Sequence, residues 1–486
     1  MFTEIKDKNE VYKNYINGEW VTSNNNESIT ISSPVDDSIV ANVTAIDKTG
    51  VDEAIKAAKV AQKKWNNVPI NERAKIMYRV SDILEEQSDA LAKMMLKEIA
   101  KDYKSGISEV ERTADFIRFS ADVAKGIMGE NLSSGNFPGF KDNKMSFVVR
   151  EPLGVVLAIS PFNYPINLSV SKVVPALMMG NSVVLKPATQ GCISALMMAK
   201  LFEAAGLPKG LLNVVTGKGS EIGDYIVMHS GVDFINFTGS TKIGQRIAKQ
   251  VTMKPLLMEL GGKDAAIVLK DADLELTVNN IVSGAYSYSG QRCTAVKRIL
   301  VVEEVADALV EKLTSKIKEL KAGRPKQEDV TVVPLINESS AIFVESLIKD
   351  ALDKGAVLKV GGTRVKNLVQ PTLIDNVTTK MDLAWEEPFG PVLPIIRVKD
   401  VEEAIDIANA SEYGLQSAVF TENINSAFQV AKRLEVGTIQ INNKPERGPD
   451  HFPFLGVKSS GIGVQGIKYS MEAMSRPKAI VFNINE

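Results

Sequence analysis

Two residues in this chain combine a reactive side chain with surroundings that could use it: Cys293 in SYSGQRCTA and Glu259 in PLLMELGG. A thiolate is a strong nucleophile toward carbonyl and acyl carbon. Gly290 allows a close approach of backbone to a ligand, and Arg292 could stabilise a neighbouring thiolate. The alternative for Cys293 is an inert buried cysteine, the reading adopted for Cys192 among the apolar neighbours of CISALMM. The chain has only two histidines, His229 and His451, far apart, so a Cys–His couple is not expected and the base must be a carboxylate or water. Glu259 closes an apolar strand and is followed by two glycines that clear space around it. A carboxyl in apolar surroundings has a raised pKa and suits a general base; the alternative is a salt-bridged glutamate at a strand end. The two histidines also lack HExxH spacing, and no metal site is expected.

Two further phrases suit a nucleotide. FTGSTKIG sets Gly239 and Gly244 around Ser240 and Thr241 after a strand, which would aim backbone N–H groups at a phosphate from a helix N-terminus. It is not GxGxxG, and a Ser/Thr-capped helix start explains it equally simply. Lys186 closes the strand NSVVLKP, from which an ammonium reaches a ribose or phosphate; the alternative is a solvated lysine.

These residues need elements to carry them. From residue 153 short apolar runs recur (GVVLAIS, NSVVLKP, LLNVVTG, DFINFTG, PLLMELGG), separated by helix-length segments such as CISALMMAKLFEAAG. That alternation predicts βαβ units and a buried parallel sheet, with SPFNYP, KPATQG and TGST just past the strand ends where such sheets bind ligands. Upstream, VDEAIKAAKVAQKKW aligns Val51, Ala54, Ile55, Ala58 and Ala61 on one helical face, and YINGEW reads as a strand. A second αβ region follows residue 264, with a helix over DALVEKLTSKIKELKAG stopped by Gly323 and a surface loop at KAGRPKQEDV. The terminal strand KAIVFNI needs a partner, which another subunit would provide.

Composition agrees. At 486 residues and 44% apolar, the chain supports about three domains. Lys+Arg 57 against Asp+Glu 59 leaves −2, which gives no footprint for nucleic acid or an anionic membrane. No targeting segment or 20-residue apolar span is expected, and two cysteines fit a reducing, cytoplasmic setting.

Taken together, SPFNYP, KPATQG, FTGSTKIG, MELGGKD, GQRCTA and EEPFGPV stand in the order and spacing of the aldehyde dehydrogenase superfamily, which the chain resembles over most of its length. The resemblance implies an α/β fold with a Rossmann-type cofactor domain (1–130 and 151–262), an α/β catalytic domain (263–450) and a β oligomerisation arm (131–150 and 451–486) of a homotetramer. It implies that Cys293 attacks an aldehyde, that Asn163 and the Cys293 backbone N–H form the oxyanion hole, and that Glu259 activates water against the thioester. Ser160, Lys186, Thr189, Asp224, Gly239, Ser240, Gly244, Glu387 and Phe389 would contact the cofactor. Taken alone, Asn163 also reads as a turn residue and Phe389 as plain core.

NAD-preferring relatives often carry glutamate near Thr189; here Lys186 and Thr189 offer a cation and a hydroxyl without a competing acid, which favours NADP. Arg112, Tyr164, Arg292, Thr294 and Arg447 would bind substrate, and three arginines suit a phosphate, although each alone reads as a surface ion pair. RGPDHFPFLG and GVQGIKYSMEAM resemble the non-phosphorylating glyceraldehyde-3-phosphate dehydrogenase branch, which implies a small phosphorylated glycolytic aldehyde as substrate. His451 and Lys444 depart from that branch's expected pattern. Rival readings are a succinate-semialdehyde dehydrogenase, whose carboxylate could use Arg292 and Arg447, and a CoA-acylating enzyme, which retention of Glu259 disfavours. A catalytically silent nucleotide-binding scaffold is disfavoured by the joint presence of Cys293, Glu259 and Asn163.

Overall fold

A computed structural model describes residues 1–23, 27–127, 129–325 and 330–484. Part of the loop expected at KAGRPKQEDV, and the last two residues of the expected arm, lie outside the described residues.

The apolar runs form the centre of an eight-stranded sheet. Its order is Glu19–Val21, Asn14–Ile16, Leu212–Val214, Ser182–Pro187, Val155–Ser160, Phe234–Thr238, Leu256–Glu259 and Gly461–Ile462. The five inner strands run parallel, and the YINGEW hairpin and the short late strand flank them antiparallel. Their residues are apolar without alternation because helices cover both faces: Lys48–Trp65 and Gly219–Met228 share one core with the strands, Asn167–Met178 and Cys192–Ala204 another. Lys48–Trp65 buries Val51, Ala54, Ile55 and Ala58, and its N-terminus is capped by the Asp47 carboxylate. Cys192 is buried at the start of a helix whose buried residues are, apart from Ser194, apolar.

A seven-stranded sheet follows, ordered Val357–Val360, Thr372–Asp375, Val392–Val398, Arg298–Val302, Ala265–Val268, Gln416–Phe420 and Thr438–Ile441. All its pairings are parallel except the outermost, 357–360. The helix expected to run to Gly323 ends at Lys318, because Lys321–Ala322 leaves it to pair with Val330–Val332.

A third sheet pairs Ser475–Asn483 with Lys144–Pro152 along their whole lengths, and Lys144–Pro152 with Glu130–Ser133. The terminal strand therefore finds its first partner within the chain and keeps its other edge open among the described residues. The rest of 451–486 does not join this sheet: Gly461–Ile462 closes the first sheet, and helix Ile467–Ala473 buries Ile467 and Met471 in the core beneath it.

Candidate active site

The parallel strands of the first sheet deliver their C-terminal residues to one cavity of about 710 Å³. Ser160, Lys186, Gly239, Ser240, Glu387 and Phe389 line it, together with Asn163 and Cys293. Lys186 is buried, makes no hydrogen bond or ion pair among the described residues, and burial lowers its pKa. Ser240 stands at the N-cap of helix Thr241–Gln250 without using its side chain as a cap, so the Thr241 and Lys242 N–H groups keep no hydrogen-bond partner among the described residues, while the Ile243 N–H bonds the Ser240 carbonyl. An unpaired buried ammonium beside an open helix N-terminus fits a phosphorylated, anionic cofactor. Phe389 adopts a left-handed φ of 45° and packs edge-on against Phe162. Ser160 accepts a hydrogen bond from Ser169 at 2.8 Å.

Three expected cofactor residues lie elsewhere. Asp224 is on the exposed side of helix Gly219–Met228, paired with Arg246. Gly244 faces the Leu260 side chain, where a Cβ would clash, so its smallness serves helix packing. Thr189 is partly exposed, one residue beyond the lining residue Ala188.

Cys293 sits on the loop after the Ser287–Gly290 turn. Gly290 has φ +70°, and a Cβ there would strike the Gly390 carbonyl; its close backbone neighbour is thus the loop carrying Glu387 and Phe389, not a ligand. Burial pushes the Cys293 thiol up, and the adjacent Glu259 carboxylate adds to this, while Lys297 and Arg447 pull it down. Asn163 is 3% exposed and donates one amide hydrogen to the Gln291 carbonyl at 2.9 Å, leaving its second for the cavity.

Glu259 is buried, but its surroundings are not apolar. Its Oε2 accepts from Thr238 Oγ1 at 3.3 Å and pairs with Arg447 at 3.4 Å, and its Oε1 has no hydrogen-bond partner among the described residues. Thr238 in turn accepts from Lys172 Nζ at 2.7 Å. Lys172 escaped the sequence reading, although it is the only charge in the otherwise uncharged, fully buried helix Asn167–Met178.

Consecutive residues divide between two cavities. Asn163 and Cys293 line the large one, while their chain neighbours Tyr164 and Arg292 line a second of about 210 Å³ with Arg112, Lys101 and Glu109. Both pairs lie in bends or turns, where adjacent residues reach different walls, so two adjacent pairs suffice to line both cavities. Arg292 also donates to the Gly284 carbonyl at 2.8 Å, and Thr294 is buried beside Cys293. Arg112 grips both oxygens of Asp450, at 2.8 and 2.9 Å, and donates to the Arg447 carbonyl at 2.6 Å. Arg447 lies 3.7 Å from the same carboxylate. Lys101 and Glu109 form a fully buried ion pair; Lys101 donates to the Asn163 carbonyl, and Glu109 accepts from the Ile166 and Asn167 N–H groups. His451 packs against Phe119 at a tilt and edge-on against Phe452, and Lys444 pairs with Glu446.

The model of the aldehyde dehydrogenase family matches residues 20–480. The chain belongs to that family. Within the aldehyde dehydrogenases it is 53% identical to an NADP-dependent glyceraldehyde-3-phosphate dehydrogenase of Streptococcus equinus over 97% of this chain and 99% of the other. It is 50% identical to a protein of the same name from Triticum aestivum, over 100% and 97%. It superposes with a TM-score of 0.96 on the crystal structure of NADP-dependent glyceraldehyde-3-phosphate dehydrogenase from Bacillus halodurans complexed with NADP, at 52% identity, covering 97% and 99%. No helix among the described residues is long and apolar enough to cross a membrane, and no cluster of metal-ligating side chains occurs among them.

Proposed function

We infer that the protein oxidises D-glyceraldehyde 3-phosphate to 3-phosphoglycerate with NADP and water, without forming an acyl phosphate. The carrying observation is the basic pocket of Arg112, Arg292 and Tyr164 that adjoins Cys293 through the chain neighbours of the nucleophile and of Asn163. It suits a short aldehyde with a phosphate at its far end. Full-length likeness to NADP-dependent glyceraldehyde-3-phosphate dehydrogenases supports the same substrate.

The Cys293 thiolate adds to the aldehyde carbon, and the Asn163 amide with the Cys293 N–H holds the oxyanion. Lys186, Ser240 and Glu387 would hold NADP, which when bound supplies the hydride acceptor that takes the adduct to a thioester. Glu259 then accepts a proton from water as its oxygen attacks the thioester carbon. The C–S bond breaks, the acid leaves and the thiolate returns. Arg447 and Thr238 hold the Glu259 carboxylate for that role, while Arg112 and Arg292 hold the phosphate. The exposed apolar residues Phe147, Val149, Ile480 and Phe482 of the third sheet suit burial against further copies in a cytoplasmic homotetramer.

The test is reduced-nicotinamide absorbance with glyceraldehyde 3-phosphate and NADP in the absence of inorganic phosphate, beside Cys293→Ser. Phosphate-independent turnover lost in the variant is expected. Turnover only with succinate semialdehyde would overturn the substrate.

A further inference from the structure

Among the buried cations near the nucleophile that take no part in the mechanism, Lys297 is the one that bonds its backbone. Lys297 lies four residues after Cys293, at the start of the inner strand Arg298–Val302, and its side chain is 2% exposed. Its ammonium donates to the Cys293 main-chain carbonyl and stands 3.0 Å from Glu387 Oε1. The same Glu387 oxygen accepts the Gly262 N–H at 3.2 Å, just past the strand that carries Glu259. One ammonium thus joins the nucleophile loop to the carboxylate that lines the large cavity. A buried lysine is costly unless it is paired, and this one has an acceptor on each of the two loops it joins.

We propose that Lys297 is a positioning residue: it ties the Cys293 loop to Glu387, so that cofactor contact at Glu387 and the placement of the Cys293 thiol change together. This rests on the reading above of Cys293 as nucleophile and Glu387 as a cofactor contact. A carboxylate shared between an ammonium and a ribose hydroxyl gives up part of its hold on the ammonium. The freed charge then acts on the Cys293 loop alone. Burial opposes the Lys297 charge, but Glu387 and Asp264 outweigh it and hold its pKa above the usual lysine value, so the tie persists across the working pH range. The charged groups acting on the Cys293 thiol are Glu259, Lys297, Arg447 and Lys172. Of these, only Lys297 also bonds the Cys293 backbone among the described residues.

The experiment measures alkylation of Cys293 by iodoacetamide from pH 5 to 10, with and without NADP, reading the Cys293 peptide by mass spectrometry so that buried Cys192 does not interfere. In Lys297→Met the profile should move to higher pH, with the rate at pH 7 falling about tenfold, since an opposite charge nearby favours the thiolate. The response to NADP seen in the wild type should vanish. Lys297→Arg, which keeps the charge, should restore most of the pH profile; a role confined to packing would not produce that rescue. Should Lys297→Met fail to fold, Glu387→Gln reads the tie from its other end and should change the NADP-free alkylation rate at least threefold. Wild-type rates and an intact NADP response in Lys297→Met, or an unchanged rate in Glu387→Gln, would overturn the proposal. No aldehyde is present, so failure of the substrate assignment would leave this measurement readable, and wild-type turnover separates the two.

Discussion

Arg112 and Asp450, 338 residues apart, meet in a two-pronged ion pair at 2.8 and 2.9 Å, and the same guanidinium also holds the Arg447 carbonyl. A helix of the first core is thereby fastened to the late loop that reaches Glu259.

That geometry needs the planar fork of arginine. Arg112→Lys keeps a positive charge but cannot span both oxygens. Its kcat/KM for glyceraldehyde 3-phosphate should fall roughly ten- to hundredfold, the range for charge-assisted hydrogen bonds of about 1.5–3 kcal/mol. Unphosphorylated glyceraldehyde should be affected far less. Equal losses on both aldehydes in steady-state assays would remove Arg112 from phosphate recognition.

Glu259→Gln keeps the shape and the partners of the side chain while removing its capacity to take a proton. Rapid mixing should show a burst of NADPH equal to the enzyme present, followed by a steady rate lower by a factor of roughly a hundred or more. Absence of the burst would mean that Glu259 acts before the thioester forms.

Burial pushes the Lys172 ammonium down to about 7, against the opposing pull of Glu259. An unfolded lysine holds its proton to about pH 10.4. Between these values the unfolded chain binds more protons, so this group's contribution to stability is complete above that range and is lost as the pH falls toward 7. Lys172→Met abolishes the effect. The Tm of the variant relative to the wild type should therefore rise as the pH is lowered from 10 to 7 and level off below. A difference constant with pH would show that Lys172 is not held near neutrality.

Thr189→Glu would place an acid next in the chain to the lining residue Ala188, three residues after Lys186. The KM for NADP should increase about tenfold or more, with a smaller change for NAD, because only the former brings a 2′-phosphate into the field of the new carboxylate. Titrations with both cofactors would measure the ratio, and an unchanged ratio would remove Thr189 from cofactor discrimination.

Much of this site was legible in the sequence because its residues sit at the C-terminal ends of parallel strands, and strand ends can be read from apolar runs. Ser160, Lys186, Gly239 and Glu259 follow such runs directly, and the structure sets the first three around one cavity with Glu259 against Arg447. What escaped depends on partners distant in the chain. Nothing local to Lys297, Lys101 or Asp450 shows that each meets a carboxylate, carbonyl or guanidinium from another element. Gly244 follows the cavity residue Ile243, yet helix rotation carries it against Leu260, and Asp224 stands on a helix that lines no part of the cavity and pairs with Arg246. Gly323 reads as a helix stop, but strand pairing at Lys321 ends the helix sooner.

The strand bearing Glu259 has its last neighbour in Gly461–Ile462, and the Leu260 N–H bonds the Ser460 carbonyl. On a ribosome, where folding proceeds from the N-terminus, the first sheet must wait with an open edge until Gly461–Ile462 has emerged, long after Glu259 itself. Truncation just before residue 456 would leave every proposed reacting residue in the chain and yet deprive the general base of its flanking strand. The general base is thus synthesised long before the strand that flanks it.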